Sequence, residues 1–427
     1  MAGFWSRFRR GKSPDAEKES RAGGVAAMWQ VGQPVSTPHD YANFAHEAYE
    51  RNIVAYRCIA LVAEAAASVP WLLYNGDREV EAHWLLDILR RPNPMQDWVS
   101  FAEAMYSYDL LAGNQYTEAN FVGRAGELYT LRPDRMKVIP GSDGMVQAYQ
   151  YRAGGKSVTW RADEWMGRSP IMHTKRFSPL SDYYGQSPLA AAGYAVDQHN
   201  AASRWNLALL QNGMRPSGAL QYEPKEGPQE LPDNQYRKLR EELEQQGASK
   251  AGRPLLLDGG LKWVQTMLSQ QDSDWLGAID KTASQIAQAY NVPEQLVGVP
   301  GQQTYNNYRE ARLALYEDAV LPLVNSYVRA FTEWLAVPLL GPNWRFAYND
   351  DDIPALAPRK EQQWDRLQSA DFLTLNEKRL ALGYEAVEGG DTLFVPSSML
   401  PLSFASEPPA FPAIAPNEAA DAATGGR

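Results

Sequence analysis

A single cysteine, Cys58, in 427 residues removes two options at once. No intramolecular disulfide can form, and thiolate metal clusters are excluded. Cys58 falls within an apolar helical pattern, so it reads as a small buried hydrophobe rather than a nucleophile. Histidine is scarce too. His39, His46, His83, His173 and His199 are scattered, and none has the spacing of HExxH or of a metal pair. No apolar run reaches the roughly 18 residues that a membrane span needs. Positive charge is also short: 41 Lys and Arg stand against 51 Asp and Glu, a net charge of −10. Affinity for nucleic acid comes mostly from Lys and Arg neutralising phosphates. This composition therefore argues against a tight DNA-binding surface, but not against a surface that DNA passes without sticking.

Familiar chemistry is missing as well. Gly-Lys-Ser occurs at 11–13 and 155–157, but Ser6 and Gln150 stand where a phosphate-binding loop needs its first glycine. The acidic run Asn349-Asp350-Asp351-Asp352 lacks EF-hand spacing and reads as a solvated strand end. No catalytic, metal-binding or cofactor-binding set stands out, and the reading is of a protein that is not an enzyme.

What is present has a clear order. Residues 1–40 mix charge with Gly, Ser and Pro and read as a mobile N-terminal arm; residues 401–427 read as a disordered tail. A helical pattern runs from about Ala45 to Ala67, with Ile53, Tyr56, Ala60 and Ala63 on one face. A second helix, from about Asp97 to Ala112, stops at Gly113-Asn114. Short alternating segments separated by glycines follow, predicting a mostly antiparallel β-rich lobe and an α+β domain over 41–186. Ser187 and Pro188 then open an alanine-rich helix of about 24 residues, or roughly 36 Å. Its middle, Asp197 to Asn200, is polar all round. A compact insert spans 213–270, with a short charged helix at about 233–246. Trp275, Ile279, Ala283, Ile286 and Tyr290 recur at helical spacing in the next helix, which Pro293 is expected to stop. An amide-rich loop leads into a long helix from about Tyr305 to Val337, with Pro322 expected to kink it. A strand at Trp344–Ala347 and two short helices follow, the second opened by Thr374 and Glu377 as a capping box.

Four stretches in this order, "YYGQSPLAAAGY", "NGMRPSGAL", "QIAQAYNVPEQLVG" with "TYNNYREA", and "FLTLNEKRLALGYEAVEGGD", resemble a portal protein of tailed bacteriophages. The likeness is to the siphovirus-type family also found in gene transfer agents, and the compact length and short C-terminal region look more like a gene transfer agent portal. It covers roughly residues 40–400. The resemblance implies a ring-shaped oligomer of about twelve copies at one capsid vertex, in a virion or gene-transfer particle assembled in the bacterial cytoplasm. Each subunit would have an α+β wing (41–186, joined by a strand near 344–350), stem helices (187–212 and 271–290) and a small α/β clip (213–270). A tunnel loop (291–305), a long kinked wing helix (306–338) and a small helical crown (356–400) would complete it. Double-stranded DNA would pass through the channel during packaging and ejection. A large terminase (the packaging ATPase), the major capsid protein and a head-tail adaptor would be the partners, with no membrane involved. Ala191, Ala195, Ala202, Ile279, Ala283 and Ile286 would pack the stem. Gln302, Gln303, Thr304, Asn306 and Asn307 would face the DNA, where neutral amides touch phosphate weakly and arginines would grip it. The alternatives are another ring or adaptor protein of a head-tail connector, or a cell-wall hydrolase using carboxylates and some of the 13 tryptophans.

Overall fold

The computed structural model describes residues 38, 40–165, 167–211, 218–223, 234, 236–239, 241, 261–265, 275–300 and 305–392. Most of the expected arm, the tail, most of the clip with its charged helix, and Gln302, Gln303 and Thr304 lie outside these residues. The chain divides into two compact units, one built from residues up to 64 together with 87–302, the other from 65–86 together with 303 onward.

In the first unit, helix α1 (Ile53–Ala67) does not continue the helical turns Phe44–Glu50 before it. The single helix expected over 45–67 is broken at Asn52, whose side-chain oxygen accepts the Val54 and Ala55 N–H groups and starts α1 afresh. That restart sets the buried face. Val54, Ala55, Cys58, Ile59, Val62 and Ala66 are buried; of the four residues expected to share one face, Ala60 and Ala63 are buried while Ile53 and Tyr56 are 75% and 46% exposed. Cys58 is buried and free, and burial pushes its thiol pKa up to about 12.

Helix α2 (Trp84–Arg90) precedes helix α3 (Trp98–Ala112), which Asp97 caps by accepting the Ser100 N–H. Six of the expected short strands then appear. Strand β3 (Asn114–Val122) pairs antiparallel with β4 (Ala125–Leu131) and with β8 (Ile171–Lys175). Strand β6 (Val146–Ala153) lies between β5 (Met136–Pro140) and β7 (Lys156–Arg161), again antiparallel. One core cluster draws on both sheets through Tyr116, Leu131, Met136, Val138, Tyr149 and Ile171. Helix α4 (Pro188–Gln211) packs along α5 (Trp275–Ala289). The described part of the insert between them is an antiparallel pair, β9 (Gly218–Tyr222) with β10 (Leu261–Gln265).

In the second unit, β1 (Trp71–Asn75) lies between β11 (Trp344–Tyr348) and β2 (Arg78–Glu79), so the strand expected near Trp344 forms. The long helix runs as α6 (Tyr305–Leu315), α7 (Leu321–Phe331) and α8 (Val337–Leu340), joined by π-helical turns at Tyr316–Val320 and Thr332–Ala336. Trp71 meets Phe331 edge-on at 5.2 Å, and Thr332 accepts the Phe346 N–H. Helices α9 (Ala357–Gln368) and α10 (Leu375–Ala381) close this unit, and the Thr374–Glu377 capping box is present. Here the matched stretch "NEKRLALGYEAVEGGD" has a physical cause. Buried Asn376 donates to Val387 O and Asp391 Oδ1 and accepts from Val387 N–H. A Cβ on Gly390 would come within 2.3 Å of Asn376 Oδ1, so glycine is required for the approach.

Candidate conduit helices and their common root

The last carbonyls of an α-helix have no partner within it and must find one elsewhere. At the C-terminus of α3 each of them has a partner, and two are taken by residues bordering the paired helices. Gly113 adopts a left-handed φ of 69° and gives its N–H to Asp109 O. Leu110 O accepts the Tyr290 hydroxyl, from just beyond α5. Leu111 O accepts the Ser187 hydroxyl, 2.7 Å away, at the start of α4. Ala112 O accepts the Asn114 amide, and Gly113 O accepts the Arg176 N–H. Ser187 Oγ also accepts the Leu189 N–H, so one hydroxyl both starts α4 and ties it to α3. The two helices thus stand on neighbouring carbonyls of one helix end.

A second layer holds the approach to α4. Asn114 Oδ1 accepts the Gly185 N–H at 2.7 Å, and Asn114 Nδ2 donates to Gly185 O. His173 Nε2 donates to the same Asn114 oxygen while its ring stacks on Tyr116 at 4.3 Å. The backbones approach so closely here that a Cβ on Gly185 would sit 2.1 Å from Gly113 O. Beside this crossing Arg176 places two guanidinium nitrogens on Asp109 Oδ2, at 3.0 and 2.9 Å. Burial raises the Asp109 pKa, and the Arg176 charge opposes that rise.

Burial lowers the His173 pKa to about 3 from 6.5, helped by the Lys175 charge. Its folded value lies below its unfolded value, so the unfolded chain binds the extra proton between these pH values. Stability is therefore full above pH 6.5 and falls as pH drops toward 3. We expect this group to cost up to about 3 kcal/mol by pH 4. Thermal unfolding of the native protein and of His173→Gln at pH 7 and pH 4 checks this; equal losses in the two proteins would refute it.

A third anchor grips the middle of α4. Asn52 Nδ2 donates to Asn200 Oδ1 at 2.9 Å and lies 3.3 Å from His199 Nδ1, while Asn200 donates to Glu47 O. His199 and Asn200 are each only 7% exposed. Half of the polar stretch Asp197–Asn200 therefore turns inward, because Asn52 supplies hydrogen-bonding partners for the buried groups. At this same root end, α5 is stopped before Pro293. Asn291 adopts φ 53°, Asn291 N–H bonds to Gln288 O and Val292 N–H to Ala287 O, a left-handed cap of two hydrogen bonds.

Of the expected packing residues, Ala195, Ala202, Ala283 and Ile286 are buried within the chain; Ile279 is half-buried and Ala191 exposed. Ala191 shares an exposed stripe of α4 with Tyr194, Gln198, Ala201 and Ala208. Asn306 is exposed and Asn307 half-buried in the first turn of α6. Pro322 lies in the first turn of α7, directly after a π turn in which Leu321 N–H reaches back to Tyr316 O. Among the described residues, no group of three His, Cys, Asp or Glu could hold a metal ion, and no helix is long and apolar enough to cross a membrane.

An α+β platform thus carries two paired helices on one shared root. A family model described as phage portal protein matches residues 53–383. A protein of Rickettsia bellii is 36% identical over 351 residues, covering 81% of this chain and 90% of its own length. Among solved structures, the neck of an empty gene transfer agent (GTA) particle, computed with C6 symmetry, contains a chain 40% identical at a TM-score of 0.66. The neck of the native GTA particle, computed with C12 symmetry, contains one 40% identical at 0.63. Each match covers 83% of this chain and 96% of the other. The chain belongs to the phage portal protein family. Its role is that of a portal protein, and the family is structural rather than enzymatic.

Proposed function

We propose that about twelve copies of this chain form a ring at one vertex of a gene-transfer or phage-like particle, with double-stranded DNA passing through its centre. The root of α4 and α5 is the observation that carries this reading. Two long helices fixed at one end by adjacent carbonyls hold a defined direction, which a channel wall built from repeated copies needs. The 40% identical chains in GTA necks solved with C6 and C12 symmetry support the ring and its place in a particle. A contact that repeats around a closed ring stabilises the whole assembly from a modest area per subunit.

In this reading α4 and α5 are the stem, residues 213–270 the clip, and the β-rich lobe with the strand near Trp344 the wing. Residues 291–305 are the tunnel loop, 306–338 the long wing helix and 356–400 the crown. The exposed stripe of Ala191, Tyr194, Ala201 and Ala208 on α4 serves the neighbouring stem, since alanine permits close approach. Gln302, Gln303, Thr304, Asn306 and Asn307 face DNA and let it go. The chain itself performs no catalysis; a separate packaging ATPase supplies the work, with the major capsid protein and a head-tail adaptor as further partners. Native mass spectrometry of the purified chain with images of the same sample tests the reading. It predicts a closed ring of about twelve subunits around a central hole; a stable compact monomer that degrades cell wall would end it.

A further inference from the structure

Sheet edges present unpaired main-chain groups, which folded proteins normally cover or blunt. Three edges in this chain are covered. On β5 the Val138 N–H goes to the Tyr184 hydroxyl, and on β11 the Phe346 N–H goes to Thr332. On β4, Leu128 donates to Pro92 O and accepts from the Asn93 amide. Strand β7 differs. Ala162 N–H bonds to Gln147 O beside the opposed residues Ala148 and Arg161, which makes those two a non-hydrogen-bonded pair. Ser157, Thr159 and Arg161 therefore turn their main-chain groups away from β6. Glu164 takes the Arg161 N–H. Among the described residues, no hydrogen bond takes those of Ser157 and Thr159, and β7 ends its sheet.

The side chains repeat the picture. Val158 opposes Tyr151 and Trp160 opposes Tyr149, so both lie on the core side of the sheet. Trp160 packs against the core cluster, yet Val158 is 51% exposed. The core stops one strand short.

A segment of the matching pattern enters the lobe beside this sheet. Tyr41–Asn43 packs on Pro133–Arg135, the turn that leads into β5. Residues 22–37, which lie outside the described residues, carry no charged side chain. Within them Val25, Ala27, Trp29 and Val31 alternate with Ala26, Met28 and Gln30, the period of a strand with one apolar face. From Pro38 the chain back to Val31 spans up to about 23 Å, and β7 lies roughly 10 Å across the sheet from β5. Charge does not oppose the contact. Arg161 is held by Asp163 at one end of β7, and Lys156 stands at the other.

We propose that residues 25–31 add to β7 of their own chain as a fourth strand. Trp29 then lies beside Val158 and Trp160, while Met28 and Gln30 face the main-chain groups of Ser157 and Thr159. The chain's own arm is the occupant because it joins the lobe at this sheet, and so short a tether holds it at about millimolar effective concentration. The added strand closes an edge that otherwise templates pairing between the lobes of separate copies.

The test uses full-length chains. One carries Trp29→Cys with Val158→Cys, and two others carry one change each. Cys58 stays silent, being buried with its thiol pKa raised to about 12. A short bismaleimide, which tolerates a slip of two residues, is added to the double variant and to a mixture of the two single variants. Peptide mass is expected to show a 29–158 link within single chains of the double variant and none between chains of the mixture. Hydrogen exchange of the unmodified chain is expected to be at least roughly 100-fold slower at the Ser157 and Thr159 amides than in an open strand. Met28→Pro with Gln30→Pro removes the two N–H groups facing β7 and should return both amides to fast exchange. Fast exchange in the unmodified chain overturns the proposal. Slow exchange that survives the prolines also overturns it, since another segment is then the cover. So does a 29–158 link confined to the mixture, which makes the cover a neighbour's arm. The portal reading does not depend on β7 and stands under each of these results.

Discussion

Replacing Gly185 with valine is expected to destabilise the chain by about 3 kcal/mol or more and to abolish ring formation. A Cβ at this position would lie 2.1 Å from Gly113 O, 2.6 Å from Arg176 N and 2.8 Å from Arg176 O. All three are backbone atoms, so no side chain can swing aside to make room. Relief requires the end of α3 to part from the segment entering α4. That movement breaks both Asn114 bonds to Gly185 and pulls Ser187 from Leu111 O. The buried Asp109 carboxylate then loses the geometry of its Arg176 partner, and a buried charge left unpaired is costly. Gly76→Ala is the control. Gly76 also has a positive φ, 62°, but nothing lies within 4 Å of the added carbon. It should cost only its backbone strain, about 1 kcal/mol, and leave ring formation intact. Thermal unfolding with native mass checks both variants, and a Gly185→Val protein as stable as the control would refute the crossing.

The elements that were legible in the sequence carry their signals locally. Ser187-Pro188 opens α4 and Gly113 closes α3 because capping and left-handed backbone depend on residues only a few positions apart. The Thr374–Glu377 box works over three residues, and the alternating strands separate at their glycines. What stayed hidden is chemistry between distant positions. Asn52 meets Asn200 across 148 residues, and nothing near either one marks it for burial. The same residue explains why one helix over 45–67 failed: apolar spacing continues through Asn52, but its side-chain oxygen takes the Val54 and Ala55 N–H groups. Pro293 looked like the stop for α5, yet Asn291 supplies a left-handed cap two residues earlier. The shared root was half visible, since Ser187 and Gly113 stood out as caps. That Leu110 and Leu111 offer adjacent carbonyls to two separate helices is a property of the fold alone.

On the conduit reading proposed above, arginines in place of the amides that precede and open α6 are expected to trap DNA passing through the ring. Asn306 stands exposed at the start of α6, next to Gln302 and Gln303 in the sequence. Each new arginine, repeated in every copy, adds a ring of guanidinium groups that can pair with phosphate and release its counterions. Several such contacts turn weak sliding into salt-sensitive binding, whereas the corresponding glutamine-to-asparagine changes keep the surface neutral. The measurement is the DNA content of particles assembled with the triple variant Gln302→Arg, Gln303→Arg and Asn306→Arg, taken beside native mass of the same variant's rings. If the chain is a conduit with this loop at the DNA, rings remain intact while filled particles fall by roughly tenfold, with partial recovery as salt is raised. Intact rings with a full complement of DNA at low salt would contradict it.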